Sequence, residues 1–273
     1  MIDLKRNAKK QLVPATGKRS RASSIYTPNQ IEDFKISRSR FSNFLTCQRC
    51  FYLDRVKGLD EPGSPGWTLN ETTDLLLKLE FDACRETQTP HRLFIENGLE
   101  HLVPFQHPDM DTWRDSLRGG LMHQFEDTNI ILTGGVDDLW QDTSNEQLVL
   151  VDYKSQANTK PLDAETYLSD VYHEGYKAQM DFYAFLLQQM GFDVAETAYF
   201  LVCNADRNAN GFFGELRFSE TLIPYSWNTD WIPGKVREMI ELMNQEVIPA
   251  AHPSCKNCAY ARQRNLLESP HQN

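Results

Sequence analysis

The sequence predicts an α/β or α+β chain built around a mixed sheet with flanking helices. Three observations carry this. Helical-period segments come first, a run of strands follows, and then a helix, further strands and a last helix. The run Leu148-Val149-Leu150-Val151 is apolar at every position, as in a strand buried on both faces. The polar clusters "EDTN" and "DTSNE" divide the middle of the chain as turns divide a meander.

The elements follow in order. "SRSRFSNFLTCQRCFYLDRVKGL" opens on Ser37, an N-cap residue type, sets Phe41, Phe44 and Leu45 on one helical face, and closes at Gly58. "EPGSPG" is a loop. Trp67 to Arg85 reads as a long helix with Leu75, Leu76, Leu79 and Ala83 as its apolar stripe. Residues 87–112, with Pro90, Pro104 and Pro108, read as an irregular insertion or lid. Strands are expected at Leu121–Glu126, Ile130–Gln141 and Gln147–Lys154. A helix is expected from Tyr176 to Met190, stopped by Gly191. Further strands at Glu196–Asn204 and Gly214–Ser219 and a helix at Trp231–Val247 lead to "HPSCKNCAYARQR", a small cysteine-bearing cap.

At 273 residues, with 40% hydrophobic and 24% charged side chains, the chain has room for one large domain or two small ones. Charge is uneven. Residues 1–30 hold seven lysines and arginines against Asp3, whereas the whole chain carries a formal charge of -10. Residues 1–30 therefore read as a disordered basic tail, either gripping phosphates or merely solvated, and residues 31–273 as a single domain. The acidic body excludes a broad DNA-coating surface, so any nucleic-acid site must be a local groove or one balanced by metal ions. No apolar run is long enough to span a bilayer and the first residues lack the apolar core of a secretory signal, so a cytoplasmic protein with no membrane partner is expected.

The stretch "ILTGGVDDLWQDTSNEQLVLVDYKS" holds the chemistry. Strand alternation points Asp152 and Lys154 to one face and Tyr153 to the other. A hairpin brings Asp137 beside Asp152, and two carboxylates so close repel unless a cation lies between them. Mg²⁺ accepts such oxygen ligands, and an adjacent lysine can attend a water and offset developing charge. Spacing alone favours a surface ion pair at a strand end.

"GGVDD" followed by "VLVDYKS" resembles the P-D-(D/E)-x-K nuclease superfamily, with Asp137 and Asp152 as the acids and Lys154 as the lysine. "YKAQMDFYAFLL" adds Gln179 and Tyr183, four apart on a helix, similar to the Q-x-x-x-Y motif of the RecB-like branch. "SRSRFSNFLTCQRCFYLDRVKGL" and the late "CKNC" are similar to the members of that branch with cysteines at both ends, including CRISPR-associated RecB-like exonucleases and the AddB-type nuclease domain. The resemblance spans roughly residues 36–262. It implies a restriction-endonuclease-like α/β core and Mg²⁺- or Mn²⁺-dependent cleavage of DNA, single-stranded or with free ends. It also implies a setting in repair, recombination, phage or CRISPR-related processing, with protein partners in such a complex. The other reading is a catalytically weak nuclease-fold subunit that binds DNA or a partner. The family adds a His or Glu from the helix ahead of the first Asp. That helix has no His, so Glu80 is the expected third metal ligand, ahead of Glu71 and Asp74. Lone His123 reads as structural. Gln179 and Tyr183 are implied to touch active-site groups and nucleic acid, while Arg49 and Lys57, near the cysteines, read either as phosphate contacts or as solvated charges.

Cys47-x-x-Cys50 and Cys255-x-x-Cys258 are two metal-type pairs at opposite ends of the chain. Four such thiolates suit Zn²⁺ or an iron–sulfur cluster. The resemblance implies [4Fe–4S], although those relatives use one early and three late cysteines, and "AYARQR" lacks the third late one. Cys84 and Cys203 read as buried apolar residues.

Overall fold

The computed structural model describes residues 4–63, 66–160 and 162–269. The chain divides into two compact units. One comprises Met1–Phe34, Asn43–Pro65 and Glu238–Asn273; the other comprises Lys35–Ser42 and Gly66–Arg237. Among the described residues no helix is long and apolar enough to cross a membrane.

The larger unit is a mixed α/β fold with helices against two sheets. Its main sheet has five strands, β2 (Leu102–Pro104), β5 (Asp138–Asp142), β6 (Leu148–Gln156), β7 (Thr197–Ala205) and β8 (Phe218–Ser226), in the order β2-β5-β6-β7-β8. The β6–β7 pair is parallel and the others are antiparallel, so the sheet is mixed, as expected. A three-stranded sheet has the order β1-β4-β3, from β1 (Phe34–Ser37), β3 (Leu121–Gln124) and β4 (Ile130–Gly134).

Strand β6 is central and buried on both faces, which explains its unbroken apolar run. Val149, Val151 and Tyr153 pack with Leu77 and Phe81 of α3 (Thr68–Thr87), whose Phe81 ring stacks on Trp140 at 5.4 Å and on His91 at 4.0 Å. The opposite side of β6 turns Asp152 toward α7 (Glu174–Gln189). Gly191, at φ +90°, ends that segment as expected from sequence.

Four sequence expectations are corrected. The stripe Leu75, Leu76, Leu79 and Ala83 faces solvent, while Leu77, Phe81 and Arg85 are the buried residues of α3. The i, i+4 series containing Phe81 buries the larger ring and so sets the helix rotation. Residues 87–112 are not a lid: they form α4 (Arg92–Glu96), the sheet strand β2 and the start of α5 (Met110–Arg114). The strand expected over 130–141 is two strands in different sheets, β4 and β5, broken at Gly135-Val136-Asp137. The strand expected at 214–219 is the longer β8, which follows Gly214 at φ +82°.

The smaller unit contains α2 (Gln48–Arg55) and α9 (Lys256–Glu268). The helix expected from Ser37 to Gly58 is two, α1 (Arg38–Thr46) and α2, because Cys47 is extended (φ -159°, ψ 105°) and N-caps the second. Tyr26 is buried and its hydroxyl bonds Asn244 at 3.0 Å. The Arg19 guanidinium donates to Asp54 at 2.5 Å. Residues on both sides of position 30 thus take part in this unit's packing. α6 (Ala164–Ser169) and α8 (Trp231–Asn244) complete the helices used below.

Candidate active site and thiol cluster

The break between β4 and β5 creates the first half of the site. Gly134 and Gly135 allow it. A Cβ on Gly134 would meet Tyr183 Cε1 at 2.5 Å, and one on Gly135 would meet Ser116 Cβ at 2.7 Å. With no side chain there, the Tyr183 ring lies directly against the corner that carries Asp137. Beyond the corner, Asp138 pairs with Val151, which sets Asp137 level with Asp152, and Asp137 Oδ2 accepts the Tyr153 backbone N–H at 2.8 Å.

The two acids of "VDD" have opposite duties. Asp138 is fully buried and satisfied. It accepts from Arg85 Nη2 at 2.5 Å, Arg114 Nη2 at 2.9 Å, its neighbour's Leu139 N–H at 2.9 Å and the Tyr153 hydroxyl at 2.8 Å. A carboxylate with that many donors, two of them cationic, is a structural anchor. Asp137 has no such set. Desolvation first, and then the charge on Asp152, push it up to about 7, against the opposing pull of Lys154 and Lys78.

Asp152 is 0% exposed. Its Oδ1 accepts Gln179 Nε2 at 2.6 Å; its Oδ2 forms an ion pair with Lys154 Nζ. Burial would lower Lys154, but Asp152 and Asp137 outweigh it and hold the ammonium above the ordinary lysine value. The same ammonium lies 4.7 Å from the centre of the Tyr176 ring. Gln179 also reaches the Tyr183 hydroxyl at 3.4 Å. Asp137, Asp152, Lys154, Gln179 and Tyr183 are therefore brought together.

Glu80 is not with them. Its carboxylate bonds His91 Nε2 at 3.2 Å and Arg92 Nη2 at 3.1 Å, and its side chain is 46% exposed. The acid of α3 that feels the charge of Asp137 is Asp74. Burial, and then the charge on Asp137, raise Asp74 above the usual carboxylate range, while Lys78 bonds it at 2.9 Å. The reason is rotational: at 3.6 residues per turn, Asp74 lies above Lys78 and Phe81 on the inward face of α3, whereas Glu80 is about 120° away. Arg49 is in the smaller unit, where its Nη1 approaches the Pro249 carbonyl at 3.5 Å.

Three neighbours escaped the sequence reading. Arg38 lies beside Tyr183 at Gly134, acts on the Tyr183 hydroxyl, and has a buried Nε without a hydrogen bond. Tyr167, on α6, is 2% exposed, has a buried hydroxyl without a partner, and is pushed up by burial and by the charge on Asp152. Tyr176 supports Lys154. Of the three, only Arg38 had a visible signal, the basic "SRSR" at the helix start.

Two carboxylates set side by side, Asp137 and Asp152, suit a hard divalent ion. The fit is supported by the charge on Asp152 raising Asp137, and by the charge on Asp137 raising Asp74.

In the smaller unit, Cys47, Cys50, Cys255 and Cys258 converge, with all four sulfurs within 4.8 Å of one another. Cys47 N-caps α2 and Cys255 N-caps α9; Cys50 and Cys258 each follow three residues later. The backbone closes identically, with Phe51 N–H to Cys47 O and Ala259 N–H to Cys255 O, both at 3.0 Å. Burial raises Cys47, but backbone hydrogen bonds from Cys50 and His252 overcome it and bring the thiol to about 7. Cys258 is pushed up to about 11 and Cys50 further, by burial first. Cys203 is buried as expected; Cys84 is only partly so.

Residues 61–263, most of the chain, match the family model described as the PD-(D/E)XK nuclease superfamily. No curated protein matches the sequence.

Proposed function

Because the chain belongs to the PD-(D/E)XK nuclease superfamily, we propose that it is a Mg²⁺- or Mn²⁺-dependent deoxyribonuclease of the RecB-like branch, acting on DNA with free or single-stranded ends. The observation that carries the reading is the convergence of Asp137, Asp152 and Lys154 beside β6; the charge on Asp137 also reaches Asp74 of α3.

In this reading Asp137, Asp152 and Asp74 hold the divalent ion, which when bound supplies electrophilic activation of the phosphate and a more acidic water. Gln179 fixes Asp152 through Oδ1, and Oδ2, paired with Lys154, is the oxygen that would turn to the ion. Lys154, held charged by the two acids and braced by Tyr176, orients the attacking water and offsets charge growing on the phosphate. Tyr183 and Arg38 contact the phosphate backbone beside the scissile bond. The Tyr167 hydroxyl, buried and without a partner, is available to the same shell.

The test is cleavage of single- and double-stranded DNA, linear and circular, in Mn²⁺, with wild type and Lys154→Ala compared. The reading expects cutting of linear substrates by wild type and none by the variant, with unchanged circular dichroism. A fully active Lys154→Ala protein would remove the assignment; equal cutting of closed circles would remove the requirement for ends.

A further inference from the structure

The four-cysteine relatives suggest an iron–sulfur cluster; the thiol geometry does not accommodate one. The Sγ separations are 3.4 Å for Cys50–Cys258, 3.5 Å for Cys50–Cys255 and 3.9 Å for Cys47–Cys258, and no pair exceeds 4.8 Å. Four sulfurs bound to one tetrahedral ion at about 2.3 Å lie about 3.8 Å from one another. In a cubane each thiolate caps a different iron and points outward from the cube, so the ligand sulfurs stand roughly 6 Å apart. The observed separations enclose the volume of a single ion, and the cube would have to force every pair apart.

We infer that Cys47, Cys50, Cys255 and Cys258 form a mononuclear, tetrahedral zinc site rather than a [4Fe–4S] site. The chain's arrangement gives independent support. Each Cys-x-x-Cys is the start of a helix, with the first sulfur at the N-cap and the second on the third helical residue, so α2 and α9 present two equivalent knuckles. Two knuckles of two ligands make a closed four-ligand shell. A cubane held by one early and three late cysteines needs a third late thiol, and "AYARQR" supplies none. Both helix N-termini direct their backbone dipoles at the sulfurs, which offsets the two negative charges that four thiolates around Zn²⁺ retain. Of the single ions that accept this shell, zinc binds more tightly than ferrous iron in the general order of affinities. The role is structural, because no coordination position is left for water or substrate.

The inference does not rest on the nuclease reading and is tested without an activity assay. The full chain, expressed with iron and zinc both supplied and purified without oxygen, is measured for zinc, iron and acid-labile sulfide per chain, and its visible spectrum is recorded. One zinc, no sulfide and no broad brown absorption are expected. Cobalt supplied in place of zinc is expected to give the intense red-region bands of a tetrahedral thiolate site. Cys50→Ser is expected to lower the zinc retained after dialysis against a chelator about tenfold or more. If that variant does not fold, the wild-type metal and cobalt spectra decide alone. Four irons with four sulfides, one iron without sulfide, or a metal-free protein with disulfides would each overturn the assignment.

Discussion

The molecule assembles two clusters of like-charged ligand groups, and they cope with repulsion differently. The carboxylates include their own cation: Lys154 is paired with Asp152, and Lys78 with Asp74. The largest influences on Cys47, Cys50 and Cys258 are burial, backbone N–H groups and the neighbouring thiols, with no lysine or arginine among them. A cluster neutralised from within can rest without metal and exchange it. One without an internal counter-charge needs its ion as part of the fold. On the proposed assignments, the contrast teaches that a catalytic metal site and a resident one differ first in the charges supplied around the ligands.

The largest expected effect tests the exchangeable side. Asp152→Asn or Lys154→Ala should lower single-turnover DNA cleavage by roughly 1000-fold or more, with little change in the melting curve. Next comes the contrast itself. Washing with a mild chelator that strips the carboxylates should leave the melting temperature nearly unchanged, whereas removing the thiol-bound ion with a strong one should cost several degrees or more. Calorimetry checks both; equal losses would erase the distinction.

Asp74→Asn should weaken apparent Mn²⁺ affinity roughly 100-fold, while Glu80→Gln leaves it unchanged, as titration calorimetry would read. The reverse result would return the third ligand to Glu80. A smaller effect follows from Asp137. Metal must displace its proton, so affinity should fall as pH drops below about 7, up to tenfold per unit. In the metal-free protein the sign is opposite. A carboxylate raised on folding binds more protons in the native state, so stability falls as pH climbs from about 4 to about 7 and stays lower above. Asp137→Asn should flatten that slope in pH-dependent urea melts. The smallest expected change is Arg38→Lys, a few-fold rise in KM with kcat nearly kept, since lysine retains the charge but not the fork.

The strand pair and the helix motif were legible because their spacing is local. Asp152 and Lys154 alternate with Tyr153, and Gln179 and Tyr183 lie one turn apart, so period alone put each pair on one face. The two cysteine pairs were legible for the same reason. The acid of α3 coupled to Asp137 was not, because it depends on how α3 is rotated, and that rotation is set by Phe81 stacking on Trp140 about 60 residues away in sequence. Arg38, Tyr167 and Tyr176 were illegible because they reach the site through tertiary packing. The separation of β4 from β5 was hidden for a similar reason. "ILTGGVDDLWQ" has a strand's composition on both sides of its glycines, and only the competition between two sheets shows that it breaks there.

That break has a dynamic consequence. Asp137 belongs to neither strand, so its position is fixed only while β4 is seated in the small sheet and β5 in the large one. Fraying of the β3–β4 pair would let Asp137 drift with no loss from the large core, and substitutions such as Leu132→Ala would then resemble active-site lesions in assays. Amide hydrogen exchange across residues 121–134 would therefore report how firmly Asp137 is held, and, on the proposed function, slow exchange there would mark the fraction of molecules able to cut.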